Sequence, residues 1–151
     1  MTRAVNTALA GAGGVLQVVQ GTSTTSTSTS GGTYVDSGLS ASITPSSNTS
    51  KIFVTITISF YIFGGGADNG CQFQLVRGST SILAPVSNSV YIAGPSASTE
   101  QVFNFPLIYL DSPATTSSTT YKIQMLALNG ATINVQNGGN TSVITLMEIA
   151  A

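Results

Sequence analysis

Histidine and tryptophan are absent from this 151-residue chain, and cysteine occurs once, at Cys71. Charge is nearly as scarce, with four Lys or Arg and five Asp or Glu. That is 6% of the chain, against roughly 25% in an average soluble domain. A net charge of −1 with scattered cations offers no surface to track a phosphate backbone, so nucleic acid is not an expected partner. Without His, and with a lone Cys, neither a His/Cys metal cage nor an internal disulfide framework can be built. Long apolar runs are missing too. The longest, Ile52 to Phe63, is broken by Thr and Ser and falls short of the ~18 residues a membrane helix needs, so no membrane partner is expected.

What is abundant is small, β-branched and aliphatic. More than a quarter of the residues are Ser or Thr, and 42% of the chain is hydrophobic, too much for a disordered protein. The length suits one domain with a substantial core. At the N-terminus, Met1-Thr2-Arg3 and Ala8-Leu9-Ala10 imitate the ends of a signal peptide, but Ala4-Val5-Asn6-Thr7 between them is too short and polar for an apolar h-region. Residues 1–14 therefore read as an extended arm, uncoupled by Gly11-Ala12-Gly13-Gly14 from a domain spanning 15–151.

From Val15 onward the pattern is that of strands. Glu and Lys total four, and no segment carries a 3.6-residue apolar stripe. The clearest strand is Lys51 to Phe63: Ile52, Val54, Ile56, Ile58, Phe60 and Ile62 share one face, a period of two that a helix would scatter. Cys71, Phe73 and Leu75 alternate inward in the next strand, which makes Cys71 a small core hydrophobe. Arg77-Gly78-Ser79-Thr80 reads as a hairpin turn returning through Ser81 to Ala84. Further strands are expected at 15–20, 34–44, 89–93, 101–110, 119–128, 132–136 and 141–149. Asn129-Gly130 and Asn137-Gly138-Gly139-Asn140 are read as tight hairpins separating the last three. The run Thr22 to Ser30 fits either a polar edge strand or a flexible linker. Nine or ten strands joined by short turns predict an all-β fold, an antiparallel β-sandwich of jelly-roll type.

Several strands are apolar on both faces. Ile144 and Leu146 oppose Val143, Met147 and Ile149, and Leu126 and Leu128 oppose Ile123, Met125 and Ala127. The long strand adds Phe53, Tyr61 and Phe63 to its second face. Either loops cover these faces, or identical subunits do. The second reading makes Phe53, Tyr61, Phe63, Leu126, Leu128, Ile144 and Leu146 the candidate subunit interface, since obligate interfaces resemble a core cut in half.

Chemistry finds little to work with. Asp36, Asp68, Glu100, Asp111 and Glu148 are all separated in sequence, and the many serines lack a histidine base. Lys51 and Lys122 sit among threonines in strands, unsuited to Ser-Lys catalysis. The glycine stretch at 11–14 precedes a strand and lacks the lysine of a phosphate loop. The expectation is a non-enzymatic protein with no catalytic residue, cofactor or metal site.

Several stretches together resemble a β-sandwich module of tailed-bacteriophage virion proteins. They are Val15-Leu16-Gln17-Val18-Val19; Gly38-Leu39-Ser40-Ala41-Ser42-Ile43-Thr44-Pro45 followed by Ser50-Lys51-Ile52; Phe73-Gln74-Leu75-Val76-Arg77-Gly78-Ser79-Thr80; Leu110-Asp111-Ser112-Pro113 with Thr119-Thr120-Tyr121-Lys122; and Ile144-Thr145-Leu146-Met147-Glu148-Ile149. The resemblance implies a homotrimer on the outer surface of a virion, assembled in the host cytoplasm. Similar modules serve as capsid decoration or cement proteins on the major capsid protein, or end tail fibres, where a host-surface glycan would be the ligand. A fibre tip usually follows a shaft, whereas 14 residues precede the module here. A free-standing copy is thus expected to attach itself, with Arg3, Val5 and Leu9 of the arm as its shell contacts. That favours a trimeric decoration or cement protein over a tail-fibre adhesin.

Overall fold

The computed structural model describes residues 13–64, 68–85, 87–92 and 100–151. Its elements are β1 (Val15–Ser23), β2 (Thr27–Thr29), β3 (Val35–Ile43), β4 (Lys51–Gly64), β5 (Asn69–Arg77), β6 (Thr80–Leu83), β7 (Val90–Ile92), β8 (Gln101–Asp111), β9 (Thr119–Leu128), β10 (Ala131–Val135) and β11 (Ser142–Ile149). All described strand pairs are antiparallel. The all-β sandwich expected from the alternation is what the chain forms.

Three strand positions are shared by pairs lying end to end. β11 and β10 follow one another along the same side of β4, covering Lys51–Thr57 and Phe60–Gly64 respectively, while β8 runs along the other side. β1 and β2 repeat this beside β11 and β10, as β6 and β7 do beside β5. The first sheet is therefore β1/β2, β11/β10, β4, β8, and the second is β3, β9, β5, β6/β7. Numbered along the chain, these positions read 1-8-3-6 and 2-7-4-5, which is jelly-roll order. The run at 22–30 is resolved into the end of β1 and the short strand β2.

The two-residue turns fall where their sequences place them, but not all of them close hairpins. Asn129 and Gly130 both take positive φ, 57° and 78°, but they close no hairpin: they carry the chain from β9 in the second sheet to β10 in the first, where β9 pairs with β3 and β5 and β10 with β2 and β4. Gly78 (φ 59°) closes the β5–β6 hairpin. The segment Asn137–Asn140 also departs from expectation. It is a step between collinear strands and not a hairpin, since β10 and β11 both pair with β4 and not with each other. Left-handed Gln136 (φ 53°) and Gly138 and Gly139 (φ 66° and 81°) take up the extra length in a 3-10 turn. Buried polar groups hold the step. The Gln136 amide N–H donates to the Ser59 carbonyl (2.9 Å), and the Ser59 N–H to Ser142 Oγ (3.0 Å). With its side-chain amide oriented by its partners, Gln136 donates to the carbonyls of Thr25 (3.1 Å) and Ser37 (3.2 Å).

The core lies between the sheets. Ile52, Val54, Ile56, Ile58, Phe60 and Ile62 of β4 face Leu39, Ile43, Cys71, Phe73, Leu75, Tyr121, Ile123 and Met125 of the second sheet. Phe60 meets Phe73 edge-on (4.9 Å between ring centroids) and stacks on Phe103, while Phe73 stacks on Phe105 (5.2 Å), so an aromatic cluster bridges the sheets beneath β8. Such pairs add about 0.5–1.5 kcal/mol each beyond area burial.

This packing corrects part of the expected subunit interface. Ile144 and Leu146 are fully buried in the molecule's own core, because β11 pairs Ile144 with Ile56 and Leu146 with Val54 and so shares β4's inward face. Leu126 faces out of the second sheet yet is only 8% exposed. Tyr34 donates to Gln72 Oε1 (2.8 Å), and because Leu126 pairs with Gln72, that bond passes over β9 beside it. None of the three is open to another chain.

Candidate interaction surface

The two outer faces of the sandwich differ sharply. On the second sheet the outward side chains form a polar ladder. Lys122 Nζ and Gln124 Nε2 donate to Asp36 (2.8 and 2.7 Å), Gln74 Nε2 donates to Gln124 Oε1 (2.7 Å), and Ser81 Oγ donates to Gln74 Oε1 (2.8 Å). The hydrogen bonds from Lys122 and Gln124 lower the Asp36 pKa. This ladder crosses β3, β9, β5 and β6, and it leaves a face suited to water.

The first sheet presents the opposite. Its register aligns Val18 of β1, Met147 of β11, Phe53 of β4 and Leu110 of β8 in one cross-strand row. All four have the outward parity of their strands, opposite to the buried Leu146 and Val54. The next outward row reads Gln20, Thr145, Thr55, Ile108, and the one beyond it Thr22, Val143, Thr57, Pro106. Among the described residues, six of the seven exposed large hydrophobic side chains lie on this sheet's two outermost strands: Val15 (55%), Leu16 (41%) and Val18 (57%) on β1, and Val102 (69%), Ile108 (65%) and Leu110 (49%) on β8. Lys51, paired with Ile149 at a corner, is the sole charged residue with outward parity on β1, β11, β4 and β8. An exposed apolar patch of this kind makes this face the candidate contact surface.

Of the residues expected to form a subunit interface, Phe53 lies at the centre of this face, half-buried among its neighbours. Tyr61 and Phe63 stack on each other (5.7 Å, 28°) farther along β4, beside Val102, which pairs with Tyr61. Leu128 is half-buried at the end of β9, on the other sheet. Arg3, Val5 and Leu9 lie outside the described residues. The exposed members Val18, Ile108 and Leu110 were missed because each sits in an ordinary alternating strand. Only the register shows that they flank Met147 and Phe53.

Several ionisable groups are engaged within the fold. Arg77 Nη1 spans both carboxylate oxygens of Asp111 (2.9 and 2.8 Å), and the buried Tyr121 hydroxyl donates to Asp111 Oδ2 (2.6 Å). This ties the end of β8 in one sheet to β5 and β9 in the other. Burial, reinforced by the Asp111 carboxylate, raises the Tyr121 pKa and keeps the phenol a donor. Glu148 is fully buried, and its oxygens accept from the Ser46 amide (2.7 Å), the Ser46 hydroxyl (2.6 Å) and Gln17 Nε2 (2.6 Å). Burial opposes ionisation there, but these hydrogen bonds outweigh it and hold the carboxyl at about 2. Burial pushes the Cys71 thiol up to about 12, far from the thiolate a nucleophile needs. Asp36, Asp111 and Glu148 thus serve three separate internal networks. Among the described residues no group of three His, Cys, Asp or Glu is placed to hold a metal ion, and no helix is long and apolar enough to cross a membrane.

No family model matches the chain, and no curated protein matches it. Among solved structures, that of the infectious bursal disease virus Gt strain aligns over 89% of this chain and 38% of its own, at 15% identity and a TM-score of 0.40. The VP2 subviral particle of the same virus aligns over 89% and 37%, at 12% identity and 0.39. The dimeric latent PorU from Porphyromonas gingivalis aligns over 93% and 14%, at 10% identity and 0.43. The chain thus spans less than two fifths of the length of each of these proteins.

Proposed function

We propose that this protein is a structural component of a virion, a trimeric decoration or cement protein that sits on the outer surface and bridges major capsid subunits. The observation that carries the reading is the largely apolar outer face of the β1–β11–β4–β8 sheet, charged only at Lys51 in one corner, on a molecule whose carboxylates Asp36, Asp111 and Glu148 are spent on internal bonds. That is the economy of a protein built to adhere and not to react. The sequence resemblance to phage virion modules supports the same reading. So does the jelly-roll path, an architecture recurrent in viral capsid and lectin domains, though a shared fold is an analogy and not a function.

The mechanism is mechanical. A rigid trimer lies across a junction in the shell and ties its subunits together, and repetition over the particle adds avidity without new contacts. In this reading the arm, with Arg3, Val5 and Leu9, supplies the attachment to the shell, as an extended segment laid on a partner.

The test is the copy number per purified particle, measured by quantitative mass spectrometry. Hundreds of copies are expected. A few to a few dozen would make the protein a fibre or tail part, and absence from particles would overturn the virion role. Removing residues 1–13 is expected to leave the trimer intact while abolishing binding to undecorated particles. Full occupancy by the truncated protein would move the attachment from the arm to the sandwich.

A further inference from the structure

Among the described residues β8 pairs with β4 alone, so one of its edges is open. The other borders of the sandwich are short or shut. β6 and β7 have four and three residues. β1 closes on β3, where Gln17 Nε2 donates to the Thr44 carbonyl (2.8 Å) and a Cβ on Gly21 would meet the Ser40 carbonyl. β8 is 11 residues long, and an open edge of that length is a template for another strand. Proteins blunt such edges with charge, a bulge or proline. β8 carries no Lys or Arg, and its one acid, Asp111, is held by Arg77 and Tyr121. Its register with β4 is unbroken from Gln101 to Asp111, so no bulge turns it away. Phe103–Leu110 is uncharged and rich in aromatic and aliphatic residues, the composition of a self-pairing segment. What interrupts it is Pro106.

The direction of the β8 backbone groups follows from β4. The Ser59 N–H donates to Ser142 Oγ (3.0 Å) and its carbonyl accepts from the Gln136 N–H (2.9 Å), both on the β10/β11 side. Successive residues of a strand turn their N–H and C=O to opposite sides. Ile58 and Phe60 therefore turn theirs to β8, where they pair with Phe105 and Phe103. Residues of that parity bond to β4, whereas Val102, Asn104, Pro106, Ile108 and Leu110 turn their backbone groups to the open edge. The missing N–H of Pro106 thus takes nothing from the sheet, and the strand tolerates it. What it obstructs is extension of the sheet. Pro106 is the midpoint of the strand. Two copies of β8 laid antiparallel over their full length set Val102 against Leu110, Asn104 against Ile108, and Pro106 against its own copy. That seam is uncharged and largely apolar, but at its centre both N–H···O bonds are missing and two pyrrolidine rings stand where the strands must close up. We infer that Pro106 keeps β8 from pairing with β8 of a second copy, so that the sheet ends where the molecule ends. This does not rest on the virion role.

The experiment uses the full chain in solution, with mass followed by light scattering from micromolar to millimolar concentration. Pro106→Val restores the N–H and is expected to reach at least twice the parent's mass at the same concentration. Its melting by circular dichroism in dilute solution is expected to match the parent's, since no bond to β4 is altered. In the double variant Asn104→Pro with Pro106→Val, a proline returns to the open edge two residues away, and the mass is expected to fall back to the parent's. For the register, Pro106→Val chains carrying Asn104→Cys are mixed with Pro106→Val chains carrying Ile108→Cys. Residues opposite each other in a hydrogen-bonded pair lie about 5.5 Å apart between Cα atoms, within reach of a disulfide, so oxidation should join one of each. A Pro106→Val protein with the parent's mass throughout would overturn the inference. So would assembly that Asn104→Pro leaves unchanged, or disulfides that join like with like, since either places the contact away from this edge. A Pro106→Val melting temperature well below the parent's would overturn the backbone direction on which the inference stands.

Discussion

Replacing Glu148 with Gln tests whether a buried carboxylate fastens β1, β11 and the β3–β4 connection together. Its Oε1 accepts two bonds from Ser46, and its Oε2 accepts from Gln17 Nε2, which also donates to the Thr44 carbonyl (2.8 Å). In the variant one oxygen becomes an NH2 group, and no orientation of it suits the site. Facing Ser46, it opposes the backbone N–H. Facing Gln17, it opposes another NH2, and Gln17 cannot invert without setting its own oxygen against that of Thr44. Losing a charge-assisted bond and stranding a donor costs about 2–3 kcal/mol, or roughly 4–12 °C in melting temperature for a chain of this size. The pH dependence sharpens the test. The carboxyl lies at about 2 against an ordinary 4.5, a depressed value, so its stabilisation is complete above pH ~4.5 and is lost as pH falls toward 2, an upper bound of ~3 kcal/mol. The parent protein should lose stability across that window, and Glu148→Gln, with no proton to gain there, should lose less. Melting curves by circular dichroism from pH 7 to pH 2 should therefore converge. Curves that run parallel over the whole range, or a variant as stable as the parent at pH 7, would refute the reasoning.

Three other substitutions follow from the packing. Tyr121→Phe removes the hydroxyl that donates to Asp111 across the sheets and should cost about 1–2 kcal/mol, read as a lower urea midpoint with an unchanged slope. Cys71→Ala should cost about 1–2 kcal/mol for a small buried side chain and leave the oligomer intact. The parent thiol should react with a disulfide reagent only on unfolding, and dissociation by a reducing agent would contradict its burial. Gly21→Ala places a Cβ against the Ser40 carbonyl oxygen, where β1 closes on β3. It should destabilise by more than 1 kcal/mol, and a neutral result in thermal melting would show that this edge yields.

Local rules account for much of the fold. The strict alternation of β4 and the inward set Cys71, Phe73 and Leu75 were readable because one face of each segment is plainly more apolar and side-chain direction in a strand has period two. Asn129-Gly130 was readable as a turn because few residues accept two successive positive φ values, but not as a passage between sheets, because the pairing of β9 and β10 with other strands decides that. β11 could not be oriented this way. Val143, Met147 and Ile149 are as apolar as Ile144 and Leu146, and Glu148 shares the parity of the latter pair, so hydrophobicity left the two faces undecided. Pairing with β4 decides it, and the buried Glu148 is tolerated because Ser46 and Gln17, distant in sequence, bring donors to it. The Asn137–Asn140 segment carries the composition of a hairpin, but whether two strands fold back or run on depends on the third strand they share. The interaction face is tertiary for the same reason. Val18, Met147, Phe53 and Leu110 are scattered along the chain, and only sheet register, set by the core beneath them, makes them neighbours.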